Sequence, residues 1–272
     1  MDRRFLTKAA LFPGAGRKGP KISFSPPELR FLDRPSSSPL AYRKREGAGP
    51  SFLFLPGYAS DMEGAKACAV DAFAAEHGLG CVRFDYSGTG SSPGRFDDAT
   101  LSTWIEDAAA VLEALVPGPV ILVGSSMGGW IAAHLALRSP EKVAALVGIA
   151  PAPDFTDWGF DEQQRQTLVR EGKYQQPDSP AGDGMTTTLD LWTSGQTLRL
   201  LGAPVEIRCP VRLIHGDSDE VVPLAVVLRL MQRLRSADVQ LTLIKHGGHR
   251  LSEPHEIAAI RTLLAALLET VR

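Results

Sequence analysis

Short, mostly apolar runs alternate with longer amphipathic stretches through the first half of this chain. Ser51–Leu55, Cys81–Asp85, Val120–Val123 and Val143–Ile149 read as strands, with helices over Gly64–His77, Leu101–Leu115 and Trp130–Leu137 between them. Strands apolar on both faces and separated by helices predict a parallel sheet covered on both sides. The pattern resumes after Pro210 with strand Val211–Ile214, helix Leu224–Leu234, strand Gln240–Ile244 and helix Ile257–Leu268. Upstream, the Pro-, Ser- and Gly-rich residues 33–50 read as turns of an edge hairpin around a short strand, Ala41–Lys44. Between Pro151 and Pro210 the rhythm breaks. Phe155–Arg170 is partly helical, Gln175–Gly184 is polar and turn-rich, and Leu189–Leu201 is helical again. An insertion of that size, about residues 152–208, ahead of the last two strands predicts a small helical lid. No internal repeat or coiled-coil heptad is present.

Composition narrows the classes. At 272 residues and 44% apolar content, the chain has the make-up of a globular protein with an extensive core. A net charge of −2 gives no general case for nucleic acid or anionic membrane as a partner. No apolar run approaches membrane-spanning length. The three cysteines (Cys68, Cys81, Cys209) are too scattered for a disulfide framework or a zinc site, and fit structural thiols in a reducing, intracellular compartment. Charge is uneven: residues 1–30 hold seven Lys/Arg against Asp2 and Glu28, a balance of +5 that leaves −7 elsewhere. We expect a disordered basic arm there, with an organelle-targeting segment as the alternative, and a single domain over residues 31–272. The compartment expected is the cytoplasm for a bacterial source, or the mitochondrion for a eukaryotic one.

The chemistry centres on Gly124-Ser125-Ser126-Met127-Gly128, directly behind the strand Val120–Val123 and opening a helix. A G-x-S-x-G turn in that setting reads as a nucleophile elbow, which holds the Ser126 hydroxyl proud of the sheet edge. A serine hydroxyl needs a general base within hydrogen-bonding reach, and the base needs an acid to orient it. The acid lies in His215-Gly216-Asp217-Ser218-Asp219-Glu220-Val221-Val222-Pro223, after strand Val211–Ile214. In an H-G-x-x-D-x-x-V-P pattern the acid is the second aspartate, which favours Asp219 with Asp217 in reserve. The base lies in Lys245-His246-Gly247-Gly248-His249-Arg250, where His249 is favoured over His246. The remaining histidines (His77, His134, His215, His255) read as surface or core residues. An oxyanion hole needs only backbone N–H groups. One is expected from Met127 and one from Tyr58 in Leu55-Pro56-Gly57-Tyr58-Ala59, with Ala59 as the fallback. Asp85-Tyr86-Ser87-Gly88-Thr89-Gly90 reads as a tight turn bracing that loop. No cofactor or metal is expected: the glycines around Ser126 do not form G-x-G-x-x-G, and no Walker lysine follows them.

With these parts in place, residues 40–270 resemble the α/β-hydrolase superfamily. Three stretches narrow the resemblance: Leu55-Pro56-Gly57-Tyr58 with Gly64-Ala65-Lys66-Ala67, Val82-Arg83-Phe84-Asp85-Tyr86-Ser87-Gly88, and Leu122-Val123-Gly124-Ser125-Ser126-Met127-Gly128-Gly129-Trp130. They are similar to the family of mycophenolic acid acyl-glucuronide esterases, also described as mitochondrial palmitoyl-protein thioesterases, and its bacterial relatives. Lys245-His246 with His249-Arg250 is similar to that family too. The resemblance implies an α/β-hydrolase fold: a mostly parallel sheet, helices on both faces and a small helical lid. It also implies a serine hydrolase acting on thioesters, acyl glucuronides and simple esters through Ser126, Asp219 and His249. The partner implied is a small-molecule or S-acylated-protein substrate. Rival readings on the same residues are a general short-chain carboxylesterase, a C–C bond hydrolase, and a binding protein that keeps the fold without catalysis.

Overall fold

The computed structural model describes residues 25–35, 37–176 and 185–271. Most of the expected basic arm, up to residue 24, and positions 177–184 of the turn-rich stretch lie outside the described residues. The chain opens with strands β1 (Leu29–Arg34) and β2 (Ser37–Arg45), followed by β3 (Ala48–Leu55), helix α1 (Ala65–Glu76), β4 (Leu79–Phe84) and α2 (Leu101–Leu115). Next come β5 (Val120–Ser125), α3 (Met127–Arg138) and β6 (Val143–Ile149). The insertion holds α4 (Phe155–Trp158), α5 (Glu162–Glu171), β7 (Lys173–Gln175), β8 (Thr186–Thr188) and α6 (Leu189–Thr197). The chain closes with β9 (Val211–Gly216), α7 (Leu224–Arg233), β10 (Val239–Ile244) and α8 (Pro254–Val271).

One eight-stranded sheet runs in the order β1-β2-β4-β3-β5-β6-β9-β10. The β1/β2 hairpin and the β2/β4 pair are antiparallel, and the pairings from β4 through β10 are parallel. Burial explains the division. Every residue of β4, β5 and β9 is buried, as interior parallel strands covered by helices require, whereas β1 at the edge is largely exposed. On one face α2, α3 and α7 pack against the sheet around Trp104, Trp130 and Val227. On the other, α1 and α8 pack around Phe52, Phe73 and Leu264. Two interior strands carry a buried charge, Arg83 on β4 and Arg212 on β9. Arg83 donates to the Met62 carbonyl and lies 3.3 Å from Glu63 and 3.7 Å from Asp71.

The insertion is more broken than the helical pattern predicts. Gly159 caps α4, and Asp161 and Gln164 form a capping box that starts α5. Gly172, at φ 74°, ends α5 in the left-handed conformation, and the chain then turns into the β7/β8 hairpin. Polar contacts close the insertion on itself and tie it to the sheet domain. Both carboxylate oxygens of Asp154 accept N–H groups, from Leu200 and Leu201, at 2.8 Å each. The Leu198 carbonyl accepts from Trp130 Nε1 at 3.1 Å and contacts His134 Nε2 at 2.9 Å.

The Asp85 turn performs the bracing its sequence suggested. The carboxylate accepts the N–H of Met62, in the loop after β3, at 2.7 Å and that of Ser91 at 2.8 Å. Asp85 is 1% exposed and Met62 fully buried, so removing the carboxylate strands the Met62 N–H away from water. Asp85→Ala is expected to lower unfolding stability by about 1–3 kcal/mol, from the usual cost of an unsatisfied buried group. Urea unfolding midpoints for the variant and the wild type check this.

Candidate active site

Ser126 stands between the end of β5 and the start of α3 with φ 53° and ψ −120°. A non-glycine residue held at such dihedrals costs about 1–3 kcal/mol and persists only where its surroundings enforce it. They do so here. The Ser126 N–H donates to the Ile149 carbonyl at 2.9 Å, and its own carbonyl accepts from Gly129 at 2.9 Å and Ala152 at 3.0 Å. The flanking glycines are set by close approach. A Cβ on Gly124 would lie 2.2 Å from the Gly128 carbonyl oxygen, and one on Gly128 would lie 2.0 Å from that of Leu55. Helix α3 therefore starts against the backbone of β3 and β5, and its first residue, Met127, has an N–H with no intrahelical acceptor.

The acid and base loops converge on this turn. His249 Nε2 lies 3.0 Å from Ser126 Oγ, and His249 Nδ1 lies 2.9 Å from Asp219 Oδ2. Asp219 Oδ1 accepts the N–H groups of Val221 and Val222 at 2.9 Å each, leaving Oδ2 to the imidazole. Burial pushes the Asp219 pKa up, but His249 and these two N–H groups outweigh it and hold the carboxyl below its ordinary range. Asp217, the reserve acid, points elsewhere: its Oδ1 accepts the His246 N–H at 2.6 Å and the Ser218 hydroxyl at 3.0 Å. His246 is exposed at φ 59°.

The β3 loop lies against Ser126, since a Cβ on Gly57 would sit 3.3 Å from Ser126 Cβ. Tyr58 follows it, and Ala59 adopts φ 51°. The Tyr58 ring packs at 5.1 Å from Phe96, 5.9 Å from Trp104 and 5.9 Å from Phe155, and its hydroxyl donates to the Thr186 carbonyl of β8. Burial raises the Tyr58 pKa well above the ordinary phenol value.

His215 belongs to the site more closely than its sequence position suggested. It is fully buried, with Nε2 3.0 Å from the Val222 carbonyl and 3.6 Å from Asp219 Oδ2. Burial lowers its pKa and favours the neutral ring. It thus steadies the Val221–Val222 turn whose N–H groups hold Asp219. The only sequence signal was its place four residues before the acid. Among the described residues no group of three or more His, Cys, Asp or Glu side chains is gathered to hold a metal ion. No helix among them is long and apolar enough to cross a membrane.

Comparison with known proteins agrees with this fold. A family model described as the alpha/beta hydrolase fold matches residues 50–177. The human protein "Palmitoyl-protein thioesterase ABHD10, mitochondrial" is 38% identical over 233 residues, covering 84% of this chain and 76% of that protein. The chain belongs to the α/β-hydrolase fold family. As a member at that identity and coverage, it is an acyl hydrolase. Among solved structures, mouse alpha/beta hydrolase domain-containing protein 10 matches with a TM-score of 0.86 and 35% identity, covering 90% of this chain and 100% of that one. A putative hydrolase from Agrobacterium vitis S4 matches at 0.82 and 37%, covering 88% and 97% respectively.

The depressed pKa of Asp219 sets a pH dependence. A carboxyl whose folded pKa lies below its unfolded value of about 3.9 stabilises the fold above that pH. That contribution is lost as pH falls through the folded value. Asp219→Asn is therefore expected to flatten the decline of stability below about pH 4, as read from urea midpoints across the acid range.

Proposed function

We propose that this protein is a serine hydrolase of acyl thioesters and esters, acting through a triad of Ser126, His249 and Asp219. Ser126 Oγ attacks the substrate carbonyl while His249 Nε2 takes its proton. The resulting oxyanion is held by the N–H groups of Met127 and Tyr58. His249 then gives the proton to the departing thiol or alcohol, leaving an acyl-enzyme. Water, deprotonated by the same imidazole, attacks the acyl-enzyme and releases the acid and Ser126. Asp219 fixes the tautomer of His249 and stabilises the imidazolium formed in each half-reaction.

The observation that carries this reading is one imidazole reaching both Ser126 Oγ, at 3.0 Å, and Asp219 Oδ2, at 2.9 Å. An S-acyl substrate is favoured by the likeness to the human palmitoyl-protein thioesterase. The aromatic surroundings of Tyr58, beside the nucleophile, also suit an apolar acyl chain better than a polar one. The insertion from α4 to α6 acts as the lid that shapes the acyl pocket.

Steady-state turnover of p-nitrophenyl esters and S-acyl thioesters, from acetyl to palmitoyl, tests the proposal. Serine-dependent turnover that rises toward long thioesters is expected, and Ser126→Ala should abolish it while remaining folded. Turnover confined to short esters would move the substrate to small-molecule esters, and none at all would sink the enzymatic reading. Asp219→Asn is expected to lower kcat by about 10³–10⁴-fold, the scale for losing the orienting acid of such a triad. The same change at Asp217 should cost far less, because an amide oxygen still accepts the His246 N–H. The reverse ranking of the two variants would overturn the acid assignment.

A further inference from the structure

Lys66 is absorbed neither by the triad nor by the oxyanion hole, although its segment Gly64-Ala65-Lys66-Ala67 stood out in the sequence. It sits in the first turn of α1, half-buried, and its ammonium donates to the backbone carbonyl of Arg250, the residue after His249. Glu256, in the first turn of α8, lies near enough to attract that charge. Its own carboxylate is already engaged, accepting the Glu253 N–H at 2.8 Å. Lys66 thus links α1 to the loop that carries the base, across 184 positions of sequence.

That loop has reason to need an external anchor. It enters through His246 at φ 59° and leaves through Leu251 at φ 43°, two non-glycine residues in the left-handed region. Gly247 and Gly248 between them add backbone freedom. The entry is held from the acid loop, where Asp217 Oδ1 accepts the His246 N–H at 2.6 Å and the Ser218 N–H donates to the Gly247 carbonyl at 3.0 Å. On the exit side of His249, the Lys66 ammonium holds the Arg250 carbonyl, and the Leu251 side chain is buried in the core below. The imidazole stands between these two clamps.

We infer that Lys66 is a positioning residue for His249, fixing the exit of the base loop so that the imidazole stays aligned on Ser126. This role rests on the triad reading above. Catalysis is sensitive to sub-ångström placement of a base, so a loosened loop lowers the chemical rate rather than substrate affinity. A charged donor suits the task, because hydrogen bonds from an ammonium are stronger than those from neutral groups.

Lys66→Met tests the inference, since it keeps the apolar stem packed and removes only the donor. Turnover of p-nitrophenyl acetate is measured together with active-site titration by a fluorophosphonate probe, for the wild type, Lys66→Met, Lys66→Arg and Ser126→Ala. The expected result is a fall of about tenfold in kcat per titrated site in Lys66→Met, with KM within about twofold of wild type. The rate of probe labelling should fall in parallel. Lys66→Arg, which keeps a charged donor, should recover most of the loss. A kcat per titrated site equal to wild type in Lys66→Met overturns the positioning role, whether or not fewer sites are labelled. A change confined to KM overturns it too. A wild type that the probe does not label would instead overturn the serine-hydrolase reading, and the Lys66 role with it.

Discussion

The structure depends on one close backbone contact. Helix α3 begins so near β3 that a single methyl on Gly128 would lie 2.0 Å from the Leu55 carbonyl oxygen and 2.5 Å from that of Pro56. This approach forces the chain to turn from strand to helix within one residue, and that residue is Ser126 with its positive φ. The strain and the chemistry share a cause. The same turn that lifts the hydroxyl from the sheet also leaves the Met127 N–H without an intrahelical partner, beside the loop that carries Tyr58. A wider turn would relieve the serine and dissolve the site.

What makes the contact durable is the neighbouring strand. The N–H of Ser126 is bound by Ile149 at the end of β6, and its carbonyl by Ala152 three residues beyond that strand. The elbow and the exit of β6 therefore form one hydrogen-bonded unit, and the insertion departs from that unit. Further out, buried side chains repeat one device, a polar group spent on backbone groups of adjoining loops. Asp85 holds the loop after β3, Asp154 holds the chain after α6, and His215 holds the turn that holds Asp219. Loops at the carboxyl ends of parallel strands have few backbone partners of their own, so side chains must supply their order.

This explains which parts were readable in the sequence. The interior strands were legible because burial on both faces demands continuous apolar runs, and the elbow because only glycine fits at Gly124 and Gly128. Strand β1 escaped notice because an exposed edge imposes no apolar period on Leu29–Arg34. The β7/β8 hairpin escaped because three-residue strands of Lys, Tyr, Gln and Thr carry no pattern. Within the candidate site, residue types alone left Asp217 and Asp219 in competition. They are separated by where each side chain turns, one to His249 and the other to the His246 N–H. The place of Lys66 beside Arg250 was illegible for a similar reason: a contact between α1 and the last loop is a product of tertiary packing, not of local pattern.

The insertion combines firm and light attachment. Its C-terminal part is fixed to its own start by Asp154 on Leu200 and Leu201, and to α3 by Trp130 and His134 on the Leu198 carbonyl. Its hairpin meets the loop after β3 through the Tyr58 hydroxyl on the Thr186 carbonyl. Tyr58 thus faces two ways: its backbone N–H is the proposed oxyanion donor, while its side chain supports β8 within the aromatic cluster of Phe96, Trp104 and Phe155. A change in the hairpin therefore bears on the same residue that the proposed mechanism assigns to the developing negative charge. On the proposed mechanism, specificity and rate are physically joined at Tyr58, so remodelling the insertion for another acyl chain would also alter the proposed oxyanion site.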